Sequence, residues 1–348
     1  MLYFSLLPNN SLFSCLPLMA RIMLKIGHVE VGVIYKEMEK MAVVFPGQGS
    51  QRPGMGKDFF DSIEESRRVY EEASEALGWD VAAMCFSEDE RLNLTQYTQP
   101  CLLTTEIAMV RGLQKEFPSF RPAYFGGHSL GEFTALVAAG VLPLKEAVKI
   151  VHIRGKLMQE AVPVGEGGMA AVISPHLDLL SLKEIIADLP LDVANENSLH
   201  QVVISGKREA LPEAEKRLKE TLGRFDGFRF VMLNVSAPFH SRFMEPIEEK
   251  FAETLKKWGT INHSLATQVT SNFTGDFHLP DREAISRALV AQLSHTVRWI
   301  DNMRALTKKA DRIFELGPSR PLREFFKSVN AECLSINSLT QAARLFAS

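Results

Sequence analysis

Gly127-His128-Ser129-Leu130-Gly131 puts a glycine two residues to either side of a serine. This is the G-x-S-x-G pattern of a nucleophile elbow, a strand-to-helix reversal so sharp that side chains two before and two after the serine would collide. The turn leaves the hydroxyl at a helix N-terminus, where main-chain N–H groups face any negative charge that forms nearby. Leu130 supplies one such N–H by position. The chemistry suited to this arrangement is nucleophilic attack on an acyl group. The competing reading is a Gly-rich turn with an incidental serine. The apolar strand pattern before the turn and the apolar helix pattern after it favour the elbow. His128 adjoins the serine, but adjacency in the chain does not bring its ring to the hydroxyl, so a general base is expected from another segment.

Three further residues have types that could complete such a site. In KEAVKIVHIRGKLMQEA (145–161), Arg154 shares a helical face with Ala147, Ile150, Val151, Leu157, Met158 and Ala161. A guanidinium aimed into a core cannot shed its proton and needs an anionic partner. That partner is either an internal carboxylate or the carboxylate of a substrate, which the planar fork matches with two parallel bonds. His240 stands in a loop at the entrance of a helix pattern, in NVSAPFHSRFMEPIEEKF (234–251), a position suited to a site residue. Eight other histidines compete with it, and nothing local ties it to Ser129. Gln48 lies in FPGQGSQRPGMG (45–56), which fits neither the Walker phosphate loop nor G-x-G-x-x-G. Its main-chain N–H faces an oxyanion in one reading; in the other the segment is a rigid connector.

The elements that position these residues alternate between strand and helix. MAVVF (41–45) reads as a buried strand. Helix patterns follow near 58–77 and 99–117. PAYFGG (122–127) reads as a second buried strand, followed by a helix to Ala139 and another, opened by Pro143, to Ala161. From Gly165 to Leu233 the pieces shorten into a β-α-β-β-α-β order, which predicts a ferredoxin-like insert. A helix over 242–258, a strand at QVTS (268–271), helices within 283–308, strand RIFEL and a helix after Pro318 complete the pattern. The predicted fold is α/β: a large α/β-hydrolase-like subdomain with a mostly parallel sheet, from 41–164 and 234–348, plus a smaller ferredoxin-like subdomain from 165–233.

The 348 residues are 46% hydrophobic and 23% charged, with a net charge of −3. That is ordinary for a globular protein and argues against nucleic acid or an anionic membrane as partner. Cys15, Cys85, Cys101 and Cys333 have no metal-pair or redox-pair spacing. Residues 1–40 lack the basic start of a secretory signal and the unbroken apolar run of a membrane span. With methionines at 19, 23, 38 and 41, this leader is expected to be disordered or outside the native product, which would then start near Met38 or Met41.

Taken in order, FPGQGSQ, GHSLGE, IRGKLMQEAVP, NENSLHQVVISG, APFHSRFM, SNFTG, QLSHTVRW and ELGPS resemble the malonyl-CoA:acyl-carrier-protein transacylases from about Met41 to about Phe326. The resemblance implies Ser129 as nucleophile and His240 as base. It implies that the histidine is steadied by a main-chain carbonyl at the position of Gln292, with no carboxylate third member. Gln48 and Leu130 match the oxyanion-hole positions, Arg154 the arginine that holds the malonyl carboxylate, and Met158 would line the acyl pocket. The implied activity is ping-pong transfer of malonyl from malonyl-CoA to the phosphopantetheine thiol of acyl carrier protein, without cofactor or metal, by a cytoplasmic monomer. Lys207, Arg208, Lys216 and Arg217, or Arg320 and Arg323, could form a docking patch for the acidic carrier, or be ordinary solvated faces. Two departures from the family pattern stand out: Leu199-His200 in place of Pro-Gly, and Ser319-Arg320-Pro321 in place of a commoner Gly-Lys-Val. The rival readings are a serine esterase or thioesterase of the α/β-hydrolase type, with His295 as the late histidine; a stand-alone acyltransferase of polyketide assembly; and a non-catalytic acyl-CoA or carrier binder.

Overall fold

The computed structural model describes residues 19–26, 29–36, 39–224, 226–235 and 237–346. The chain divides into two compact units, at Lys40/Met41. In the first, strands β1 (Met19–Ile26) and β2 (Val29–Lys36) pair antiparallel, with Met19 opposite Lys36 and Ile26 opposite Val29. Residues 1–18, 27, 28, 37 and 38 of the expected leader lie outside the described residues.

From Met41 the strands are β3 (Met41–Phe45), β4 (Pro122–Gly127), β5 (Gly167–Ile173), β6 (Leu191–Ser198), β7 (Gln201–Lys207), β8 (Arg229–Met232), β9 (Arg312–Leu316) and β10 (Leu334–Ile336). Four of them form a parallel sheet in the order β10-β9-β3-β4. Parallel strands covered on both faces read as unbroken apolar runs, and MAVVF is buried throughout. Its alternate residues serve two cores. Met41, Val43 and Phe45 pack with Leu102, Ile107 and Phe133. Ala42 and Val44 pack with Trp299, Met303 and Leu306 on the other side.

The remaining four strands form an antiparallel sheet in the order β6-β7-β5-β8. Helices Leu179–Ile185 and Leu211–Leu222 cover one face, where Ala170, Val172, Leu182, Ile204, Leu211 and Leu218 make an apolar core. Met169, Ala171 and Val203 look the other way, into the larger core. The expected β-α-β-β-α-β order is present. Leu199-His200 form the short turn between β6 and β7, where the Ser174 N–H donates to the His200 carbonyl. The edge of β6 is held by the segment after Gln292: Val297 N–H donates to Ala194 O (2.8 Å), and Glu196 N–H donates to Val297 O (3.0 Å).

Several elements differ from expectation for local reasons. The helix expected from 99 begins at Thr95 and carries Pro100 inside it. A proline cannot donate to the carbonyl four residues back. Here that carbonyl, Gln96 O, bonds instead to His152 Nδ1 (2.7 Å) on a neighbouring helix. The 58–77 helix breaks at Ile63, whose extended backbone separates Lys57–Ser62 from Glu64–Leu77. The helix over 242–258 opens as a 3₁₀ turn, Arg242–Ile247, holding Pro246, before the α-helix Glu248–Lys256. QVTS forms no strand. Val269 makes a single bridge to Phe125 and Thr270 another to Phe277, after which the chain turns inward. The helix after Pro318 is only Arg323–Phe326, and β10 and the helix Leu339–Phe346 follow it unforeseen.

Candidate active site

β4 ends at Gly127 and the helix Leu130–Ala138 begins one residue after Ser129. A Cβ at Gly127 would lie 1.9 Å from the Gly131 carbonyl carbon, and one at Gly131 would lie 2.2 Å from Phe45 O. Gly127 is therefore required by the turn itself, and Gly131 by the close pass of the helix start against the end of β3. Ser129 sits at φ 53°, ψ −103°, a strained conformation for a residue with a side chain. It is held there from outside the turn. Asn272 Oδ1 accepts the Ser129 N–H (2.6 Å), while Asn272 Nδ2 donates to Gly127 O and to Asn302 Oδ1, both at 2.8 Å.

The structure brings His240 to this serine across 111 residues of chain, with Ser129 Oγ and His240 Nε2 2.8 Å apart. His240 Nδ1 is 2.7 Å from the carbonyl oxygen of Gln292. A carbonyl only accepts, so the proton is on Nδ1 and Nε2 presents a lone pair to the serine hydroxyl. The loop expected to position His240 does so at φ 57°, with the His240 N–H bonded to Leu293 O (3.1 Å). Burial, then the nearby Arg154 charge, lower the imidazole pKa to about 3 against the pull of the Gln292 carbonyl. The ring is therefore a neutral base at neutral pH.

Arg154 comes from the helix Leu144–Glu160, which crosses Thr95–Glu116 so closely that a Cβ at Gly155 would meet Thr95 O at 2.5 Å. That close approach places Arg154 beside Gln99. Arg154 Nη1 donates to Gln99 Oε1 (2.9 Å), and Nη2 donates to Gln292 Oε1 (2.7 Å) and Ser129 Oγ (3.2 Å). The guanidinium is 1% exposed, lies over the Phe133 ring, and its Nε has no acceptor. Each of these acceptors is neutral, so the internal salt bridge allowed by the sequence is not what holds it. Desolvation lowers its pKa to about 9, opposed by the charge of Glu132, and it remains a cation at neutral pH. A buried cation whose own hydrogen-bond acceptors are all neutral, next to a serine hydroxyl, is a receptor for an anion attached to an acyl group.

The other predicted residues fall around this centre. Met158 is buried, with its sulfur 3.6 Å from Gln99 Nε2. Gln48 follows Gly47, where a Cβ would lie 2.6 Å from His128 O, so its loop rests on the elbow. Its side chain donates to Thr95 Oγ1 (3.1 Å). Leu130 opens its helix, where the first N–H groups have no partner within the helix. His128 turns away from the serine: its Nε2 bonds Asn197 Oδ1 (2.8 Å) on β6, and desolvation lowers its pKa to about 4. His295 bonds Ala291 O and Ser294 Oγ, so it is not the base of this serine. In the suggested docking patches, Arg217 is engaged by Asp188 and Glu213. Sequence reasoning assigned no role to Gln99, Glu132 or Asn272. The last two lay within GHSLGE and SNFTG, where their order was the only signal.

Among the described residues no group of three or more His, Cys, Asp or Glu side chains is placed to hold a metal ion, and no helix is long and apolar enough to cross a membrane.

A serine–imidazole pair at a strand–helix elbow, with a cation beside it, defines an acyl-transfer site. Residues 42–314 match the acyl transferase domain family, and the chain belongs to that family. Malonyl CoA-acyl carrier protein transacylase of Bacillus subtilis (strain 168) is 37% identical over 306 residues, covering 86% of this chain and 93% of that one. The crystal structure of malonyl CoA-acyl carrier protein transacylase from Clostridium perfringens superposes with a TM-score of 0.80 at 36% identity, covering 88% of this chain and 96% of that one. A malonyl-transacylase solved in complex with a type II PKS acyl-carrier protein gives a TM-score of 0.80 at 35% identity, covering 88% and 99%. Within the acyl transferases, the chain is a member of the malonyl CoA-acyl carrier protein transacylases.

Proposed function

We propose that this chain transfers the malonyl group of malonyl-CoA to the phosphopantetheine thiol of acyl carrier protein through a malonyl ester on Ser129, supplying fatty acid elongation. The observation that carries this reading is Arg154: a buried guanidinium with neutral acceptors only, 3.2 Å from the serine hydroxyl. The malonyl carboxylate docks on it. His240 Nε2 takes the Ser129 proton as the hydroxyl attacks the thioester carbonyl. The N–H groups of Gln48 and Leu130 hold the oxyanion, each contributing about 3 kcal/mol in the transition state. Coenzyme A leaves as the thiol, taking the proton back from His240. The carrier thiol then attacks the ester, and the same steps run in reverse. Thioester and ester exchange is nearly isoenergetic, so the scheme requires neither ATP nor metal, and no cofactor.

Charge coupling makes the carboxylate more than an anchor. In the empty site the Arg154 cation opposes protonation of His240. A bound malonyl carboxylate offsets that cation, so His240 becomes a better base when the correct substrate is present. Gln292 steadies His240 through its own carbonyl, and Met158 lines the acyl pocket.

The antiparallel sheet's β6-β7-β5-β8 order supports a ferredoxin-like subdomain formed by 165–233, set into an α/β-hydrolase-like subdomain formed by 41–164 and 234–348. A cytoplasmic monomer with an acidic carrier as partner completes the proposal. Incubation with malonyl-CoA followed by intact-mass measurement tests it: one malonyl adduct on Ser129 is expected, discharged by added phosphopantetheinylated carrier. An adduct elsewhere, or none, overturns it.

A further inference from the structure

Glu132 is fully buried and takes no part in the chemistry above. It is the third residue of the helix that starts after Ser129, the position from which a glutamate ordinarily reaches back to the cap residue's N–H. Here that N–H is taken by Asn272 Oδ1 (2.6 Å), which leaves the carboxylate to bond elsewhere. Oε2 accepts from the Asn272 main-chain N–H (3.0 Å) and from Gln292 Nε2 (2.6 Å), and Oε1 lies 2.8 Å from His278 Nε2.

The bond to Gln292 decides which way that amide faces. Its Nε2 has acceptors around it: Glu132 Oε2, Ser129 O (3.0 Å) and Asn272 Oδ1 (3.4 Å). Its Oε1 accepts from Arg154 Nη2 at 2.7 Å. Rotated by half a turn, the amide would set an NH₂ against a guanidinium N–H and an oxygen against a carboxylate oxygen. We propose that Glu132 is a positioning residue for malonyl selectivity, locking the Gln292 amide so that its oxygen holds Arg154 in line with Ser129. The inference rests on the reading of Arg154 as the malonyl receptor.

Without the carboxylate, Gln292 Nε2 keeps only its two longer contacts, and the amide oxygen that steers Arg154 is no longer locked toward it. Malonyl-CoA uses Arg154; acetyl-CoA does not. A loss of correctly folded sites lowers both acylations equally, so their ratio separates positioning from a structural defect. The test is the single-turnover rate of Ser129 acylation by malonyl-CoA and by acetyl-CoA, read by intact mass, for wild type, Glu132→Leu, Glu132→Asp and Glu132→Gln. The malonyl-to-acetyl ratio is expected to fall about tenfold or more in Glu132→Leu and several-fold in Glu132→Asp, which withdraws the carboxylate by one methylene. It is expected to stay within about threefold of wild type in Glu132→Gln, which can keep an oxygen toward Gln292. Should the leucine variant fail to fold, the aspartate variant decides. An unchanged ratio in the folded leucine or aspartate variant, or an equal loss in the glutamine variant, overturns the positioning role while leaving malonyl transfer intact. A wild-type protein without malonyl preference overturns the Arg154 reading and this inference together.

Discussion

The helix-covered face of the antiparallel sheet and the surroundings of the elbow are buried to a similar degree and built in opposite ways. Ala170, Val172, Ile204, Leu211 and Leu218 fill the first with apolar atoms. Around the elbow, Glu132, Arg154, His240, Asn272 and Gln292 are each 5% exposed or less and bond to one another. An apolar core stabilises a fold without directional demands. A buried polar network stabilises little beyond its desolvation cost, but it permits one arrangement of its members. The difference locates stability in one region and chemistry in the other.

The comparison is broken most severely by removing the nucleophile. Ser129→Ala should abolish the covalent malonyl-enzyme, with turnover falling by at least about 10⁴-fold; intact mass and a transfer assay check this. Arg154→Ala is next. Malonyl transfer should fall by about 10³-fold, with acetyl transfer retained or raised, because a site built for a charged partner rejects one that lacks it. The same variant carries a pH prediction. Arg154 lowers the His240 pKa in the free enzyme, so its removal raises that pKa. The acid limb of kcat/KM for acetyl-CoA should therefore move to higher pH than in the wild type, where it lies near pH 3, measured from about pH 3 to 7.

Asn272→Leu removes the clamp on the Ser129 N–H and leaves that group and Gly127 O without their partner. Turnover is expected to fall by about 10²-fold, and stability by about 1–3 kcal/mol, by denaturant titration. Leu218→Ala sharpens the contrast from the other side. It should lower stability by about 2–5 kcal/mol by cavity formation, yet leave the malonyl-to-acetyl ratio as in the wild type below the unfolding transition. A changed ratio in that variant would join the two regions that their composition separates.

Much of the parallel sheet was legible because its strands are apolar runs bounded by Gly and Pro, as MAVVF and PAYFGG are. The elbow was legible because Gly127 answers a steric demand that is local in sequence and Gly131 stands at the matching spacing, although the atom Gly131 makes room for, Phe45 O, belongs to β3. Arg154 was legible as an anomaly on an apolar stripe. The Ser129–His240 contact was not, because it is set by the 292–297 segment, whose Gln292 and Leu293 carbonyls hold His240 while Val297 pairs with β6. Resemblance to a family supplied it, and the geometry supplied its physical content. Asn272 and Glu132 escaped for a different reason. Their work is done by single polar atoms aimed at residues 140 or more positions away, and no periodicity records such an aim. The QVTS strand failed because a short β-branched run satisfied a propensity while Asn272, just beyond it, was required elsewhere.

Ser129 and His240 are two of the three non-glycine residues with positive φ among the described residues. Glycine would be more comfortable at both. Selection for heat resistance alone would draw this chain toward glycine where it now keeps a hydroxyl and an imidazole. The two side chains persist at those angles only while turnover itself is under selection, which makes the least relaxed stretch of backbone a record of use.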